Sequence, residues 1–103
     1  MKLSKNFRGK WSFGGNVPQN FDSHIENSIP HYDEGHQIMM GLSDYFLSDN
    51  CICYDIGCSS ASFLNKLSKF TNKDKVKFYG IEINKDMYNF AVKKLKRSKV
   101  KNI

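Results

Sequence analysis

A short apolar run that stops on an acid and a glycine constrains this chain more than any other feature. Residues 51–62 read Cys-Ile-Cys-Tyr-Asp-Ile-Gly-Cys-Ser-Ser-Ala-Ser. The run has the length of a buried strand. Asp55-Ile56-Gly57 and the five small or slim residues that follow make a tight turn. After them, Phe63-Leu64-Asn65-Lys66-Leu67-Ser68-Lys69-Phe70 places apolar residues at helical spacing. Strand, turn and helix in this order form a nucleotide-binding βα corner. Its backbone can approach a ligand closely, and its helix N-terminus offers unpaired N–H groups.

The rest of the chain is read around that corner. Residues 1–20 form an arm broken by Gly9, Gly14, Gly15 and Pro18, with Trp11 and Phe13 as anchors that pack onto the domain or line a pocket. Phe21, Ile25 and Ile29 predict a short helix capped by Asp22 or Ser23 and ended by Pro30. Asp33 is the predicted cap of a second helix to about Leu47, whose stripe of Ile38, Met39, Leu42, Tyr45 and Phe46 is predicted to face the core. Past the corner, residues 71–75 are a polar connection and residues 76–83 a second strand with Glu82 near its end. Asn84 is the predicted cap of a last helix that turns Met87, Tyr88, Ala91, Val92 and Leu95 inward. The order is helix, helix, strand, helix, strand, helix, which implies a parallel pair. Parallel sheets need cover on both faces. The expected fold is therefore α/β and incomplete: an N-terminal arm and helical cap over 1–48, then the first half of a Rossmann-like domain over 49–103, with residues 99–103 approaching a third strand.

Composition narrows the classes. A chain of 103 residues with 40% hydrophobic and 14% aromatic residues suits one small globular domain rather than a disordered segment. No apolar run approaches the ~20 residues of a membrane helix, and the basic N-terminus lacks the apolar stretch of a signal peptide. Three cysteines, an odd number, point to reduced thiols and a cytoplasmic setting. The formal charge of +6 leaves direct RNA contact open, although much of the excess lies between Lys93 and Lys101 and suits a solvated helix face.

The corner also limits its own ligand. Dinucleotide sites show Gly-x-Gly-x-x-Gly and seat a pyrophosphate on the helix N-terminus. Here Gly57 stands alone, with Ser59 and Ala61 where further glycines would be, and Asp55 sits immediately inside the turn. A carboxylate repels a pyrophosphate and attracts a cationic amine. S-adenosylmethionine meets that requirement, with its ammonium, sulfonium and ribose and no phosphate. Glu82, 27 residues after Asp55, is placed to accept the ribose hydroxyls. Taken singly, Asp55 can be a helix cap and Glu82 a surface residue at a strand end.

These residues carry a family resemblance. Tyr54-Asp55-Ile56-Gly57-Cys58-Ser59 resembles motif I of class I S-adenosylmethionine-dependent methyltransferases. More narrowly, the set Trp11-Ser12-Phe13, Val17, Phe21-Asp22, Ile25, Ser28-Ile29-Pro30 and Tyr32, followed by Asp55 to Ser59, resembles the carboxy-S-adenosyl-L-methionine synthase family, over its N-terminal part only. The resemblance implies a Rossmann-like class I methyltransferase fold and an S-adenosylmethionine-dependent transferase. It implies that Tyr32 contacts the cofactor, that Gly57, Cys58 and Ser59 wrap its methionine portion with backbone atoms, that Glu82 holds the ribose and that Ile83 lies against the adenine. It implies prephenate as the small-molecule partner, which supplies the carboxylate, and a product used in tRNA wobble-uridine modification. Ala61 stands where the family usually has glycine, and the later family regions, including an arginine for the transferred carboxylate, have no counterpart in these 103 residues.

Other constellations lead less far. Cys51, Cys53 and Cys58 lack the paired ligand spacing of a zinc site and read as core thiols. A nucleophilic Cys58 would gain from the helix N-terminus, but the resemblance uses its backbone. His24, His31 and His36 read as surface or capping residues. A homodimer is compatible with the sequence. The alternatives are a methyltransferase with another acceptor, a non-catalytic half-domain that exposes an apolar sheet face, and a basic RNA-associating module.

Overall fold

The structure, a computed structural model, describes residues 17–103 and, for Val17, the backbone alone. Trp11 and Phe13 lie outside the described residues. Six elements follow in order: α1 (Val17–Ser28), α2 (Tyr32–Ser43), β1 (Ile52–Ile56), α3 (Ser62–Phe70), β2 (Lys77–Ile81) and α4 (Lys85–Arg97). β1 and β2 pair in parallel, with Cys53 opposite Phe78 and Asp55 opposite Gly80.

Side chains alternate across a strand, and here the two faces differ sharply. Cys53 and Phe78 join Ala61, Leu64 and Leu67 at and along α3, Val76, and Ala91 of α4 in one core. On the other face Ile52, Tyr54, Ile56, Tyr79 and Ile81 are exposed, and the Tyr54 and Tyr79 rings stack at 5.5 Å. The bare apolar face expected of two parallel strands is therefore present. At the outer edge of β2, the Phe78 N–H donates to the Asn102 carbonyl at 2.8 Å, so residues 99–103 do begin to line up beside that strand.

Several local expectations are corrected. Asp22 and Ser23 do not cap α1, which starts at Val17 and holds both in its interior. Pro18, expected as a breaker, lies in the first turn, where its missing N–H has no helical partner to lose. Asp33 does not cap α2. His31 holds that position in left-handed geometry (φ 58°) without a side-chain cap bond, while Asp33 pairs with Lys66 at 3.0 Å. α2 ends at Ser43 and tightens into turns through Tyr45, Phe46 and Leu47. Its stripe of Ile38, Met39, Leu42, Tyr45 and Phe46 is exposed, because the helix meets the core through Met40, and Leu47 joins from the turn beyond. The cap of α4 is as expected: Asn84 Oδ1 accepts from the Met87 N–H at 3.0 Å.

Candidate cofactor site

Parallel pairing puts Asp55, near the end of β1, and Glu82, just past the end of β2, at the same end of the sheet. The turn between β1 and α3 is tied to β2 at that end. The N–H groups of Gly57 and Cys58 donate to the Ile81 carbonyl at 2.8 and 3.1 Å. The Ser59 N–H donates to Glu82 Oε1 at 3.0 Å, and Glu82 Oε2 accepts from the Asn84 N–H at 2.8 Å. The backbone donors of Gly57, Cys58 and Ser59 are thus engaged within the fold.

A cleft of about 350 Å³ opens beside this turn. Its floor is Asp55, Gly57, Cys58, Ser59, Ser60 and Ser62, and its apolar wall includes Phe21, Ile25 and Ile29 of the first helical segment. Tyr32 and His36 of α2 also line it. Five of the seven residues expected to bind cofactor therefore line one cleft, and Glu82 joins them through Ser59. Ile83 stands apart, fully exposed at the strand tip at 101% of its reference area.

The electrostatics differ between the two acids. Burial pushes the Asp55 carboxyl above the usual carboxylate range, and among the described residues nothing donates a hydrogen bond to its side chain. Burial also raises the Cys58 thiol, with Asp55 and Glu82 adding to the effect. Cys58 is thus poorly suited to act as a thiolate nucleophile. Burial likewise raises the Tyr32 hydroxyl, and nearby carboxylates add to it.

Two side-chain clusters have no counterpart in the local sequence pattern. His36 was expected at the surface or as a cap, yet it is only 6% exposed. Its ring packs on Tyr32 (centroids 4.2 Å apart) and Phe63 (5.2 Å), and its Nδ1 lies 3.0 Å from Lys66 Nζ. Burial and Lys66 together lower its pKa, so the neutral ring accepts from the ammonium. The second cluster joins α1, α3 and α4. Asp22 accepts from Ser60 Oγ, from Ser62 Oγ at 2.9 Å and from Lys94 Nζ at 2.5 Å. Burial alone would raise the Asp22 pKa, but Lys94 and the two serines outweigh it and hold the carboxyl below its usual value. The signal for this cluster was slight: an acid inside an amphipathic helix and one lysine among many.

The structure resembles the crystal structure of a SAM-dependent methyltransferase from Aquifex aeolicus, with a TM-score of 0.61 and 25% identity, over 82% of this chain and 43% of that one. The chain has the beginning of a Rossmann-like methyltransferase fold.

Its curated relatives are more particular. Carboxy-S-adenosyl-L-methionine synthases from Staphylococcus epidermidis, Campylobacter jejuni and Helicobacter pylori strain P12 are 31%, 34% and 30% identical over 74, 87 and 106 aligned residues. These alignments take in 71%, 84% and 91% of this chain but only 32%, 36% and 42% of the relatives. The chain is thus related in sequence to the N-terminal part of the carboxy-S-adenosyl-L-methionine synthases and spans about a third to two fifths of their length. No protein-family model matches it. Among the described residues, no helix is long and apolar enough to cross a membrane.

Proposed function

We propose that this chain is the S-adenosylmethionine-binding part of a transferase of the carboxy-S-adenosyl-L-methionine synthase type. One observation carries the reading: a half-buried carboxylate without a partner among the described residues, Asp55, lines a cleft at the same end of the sheet as Glu82. A buried carboxylate without a partner is unfavourable, and a ligand ammonium removes that penalty. Asp55 takes the ammonium. Glu82 takes the ribose hydroxyls through lone pairs left over after its two backbone bonds. With their N–H groups engaged, Gly57 to Ser59 meet the methionine portion through carbonyl oxygens, Tyr32 closes on it from α2, and exposed Ile83 supplies an apolar surface for the adenine. The bound cofactor supplies an electrophilic sulfonium, and the protein's share is to position it.

In the finer form of this reading, prephenate is the second substrate and the product serves tRNA wobble-uridine modification in the cytoplasm. Turnover then needs polypeptide beyond these 103 residues. The bare face of β1 and β2 supports this, as does the greater length of the relatives. These 103 residues act as a binding unit.

Calorimetric titration with S-adenosylmethionine tests the proposal. Saturable binding that is lost in Asp55→Ala and Glu82→Ala supports it. The absence of heat from a sample shown to be folded by circular dichroism refutes it.

A further inference from the structure

The turn at the centre of the site has unusual geometry. Gly57, Ser59 and Ala61 all have positive φ, at 76°, 52° and 62°. Left-handed geometry is unfavourable for serine and alanine, and it persists only where the surroundings over-determine it. From the sheet side, Glu82 holds the Ser59 N–H at 3.0 Å. From the other side, Ser60 is buried at 1% exposure and donates to Asp22 Oδ1. Ser62 donates to the same oxygen at 2.9 Å. Lys94 Nζ bridges Asp22 Oδ2 at 2.5 Å and Ser62 Oγ at 2.6 Å.

We propose that Asp22 is a positioning residue for the cofactor turn, holding residues 59–62 in ligand-ready shape from α1 while Glu82 holds them from β2. The proposal rests on the reading of this cleft as the S-adenosylmethionine site and deepens it. Donors and acceptors balance: each serine has one proton and gives it to Asp22, and Lys94 neutralises the carboxylate. Phe21, adjacent to Asp22, and Ile25 form part of the cleft wall. Docking of α1 and the shape of the turn are therefore one equilibrium. A ligand that touches both wall and turn tightens the contact, and by linkage the contact tightens the ligand.

The test separates positioning from simple stabilisation. Ser60→Ala leaves the Lys94–Asp22 ion pair and the docking of α1 in place but releases the turn. It is expected to weaken S-adenosylmethionine binding about tenfold and, because the bond is already formed without ligand, to lower the melting temperature by several degrees as well, as the loss of one hydrogen bond to a charged group does. Asp22→Ala is expected to weaken binding more. Asp22→Asn keeps an acceptor for both serines and is expected to recover most of the affinity.

Wild-type affinity in Ser60→Ala, and in Asp22→Ala where that variant folds, would overturn the proposal while leaving the cofactor reading intact. If the wild type itself binds no S-adenosylmethionine, the cofactor reading fails separately. Amide exchange at Ser59–Ser62 then decides the positioning claim. Faster exchange in Ser60→Ala than in wild type supports it, and equal rates overturn it.

Discussion

Replacing Asp55 with Asn changes one atom and should move two properties in opposite directions. The carboxyl is held above its usual pKa by burial, so at neutral pH the folded protein carries an ionised group in an unfavourable place. The amide keeps the shape and removes the charge. An uncompensated buried polar group costs roughly 1–3 kcal/mol and a charged one more, so the neutral amide recovers only the difference. Solvent still reaches Asp55, so about 0.5–1 kcal/mol is a fair gain for the ligand-free protein. For a chain this size that corresponds to a rise of roughly 2–8 °C in melting temperature.

The sign with pH follows from the direction of the shift. A group whose pKa is raised on folding favours the folded state most below its unfolded pKa, and that contribution is lost as pH rises through the folded pKa. The advantage of Asp55→Asn should therefore shrink as pH falls, because the wild-type carboxyl is then protonated too. Binding moves the other way. Losing a charge-assisted contact to an ammonium costs about 1.5–3 kcal/mol, which is roughly a ten- to hundredfold loss of affinity for S-adenosylmethionine. Circular dichroism melts at several pH values and calorimetric titration measure both. A variant that melts below wild type at neutral pH and binds the ligand equally well would refute this reasoning.

Further consequences are measurable. Glu82→Gln keeps the acceptor to one backbone N–H but loses the second, and should destabilise the fold by about 1–3 kcal/mol in a urea titration; an unchanged midpoint would remove Glu82 as an anchor of the turn. Gly80→Ala sets a methyl 2.7 Å from Cys58 Sγ, an overpacking worth about 1–3 kcal/mol, and Cys58→Ala should restore part of the loss. The uncovered face of Ile52, Tyr54, Ile56, Tyr79 and Ile81 should bind a hydrophobic dye in the folded protein. Charged substitutions at Tyr54 and Ile81 should lower that signal without lowering the melting temperature, and no dye binding would mean that something covers the face.

The strand–turn–helix corner was legible because three signals agree on it: an apolar run, an acid and glycine at its end, and helical spacing after it. Asn84 was legible as a cap because Asn before a helix has a local reason to be there. The exposed stripe of α2 was not legible. Periodicity shows that a helix has an apolar side, not that anything in the same 103 residues covers it. His36 and the Asp22–Ser60–Ser62–Lys94 cluster escaped for a related reason, since the hydrogen bonds that define them, from His36–Lys66 to Asp22–Lys94, join residues 30 or more apart and no local pattern records them. Ala61 is visible in the sequence as a departure from glycine. The structure keeps left-handed geometry there and buries the methyl in the core, at 1% exposure.

On the reading proposed above, one adenosyl ligand spans from Asp55 to Glu82 across the turn. An amide-resolved NMR titration with S-adenosylmethionine tests it directly. Saturable shifts at Tyr32, Gly57, Ser59, Glu82 and Ile83, with a single dissociation constant and contacts from the adenine protons to the Ile83 methyls, are the predicted result. Shifts confined to the lysine-rich end of α4, or none at all in a folded sample, would contradict it.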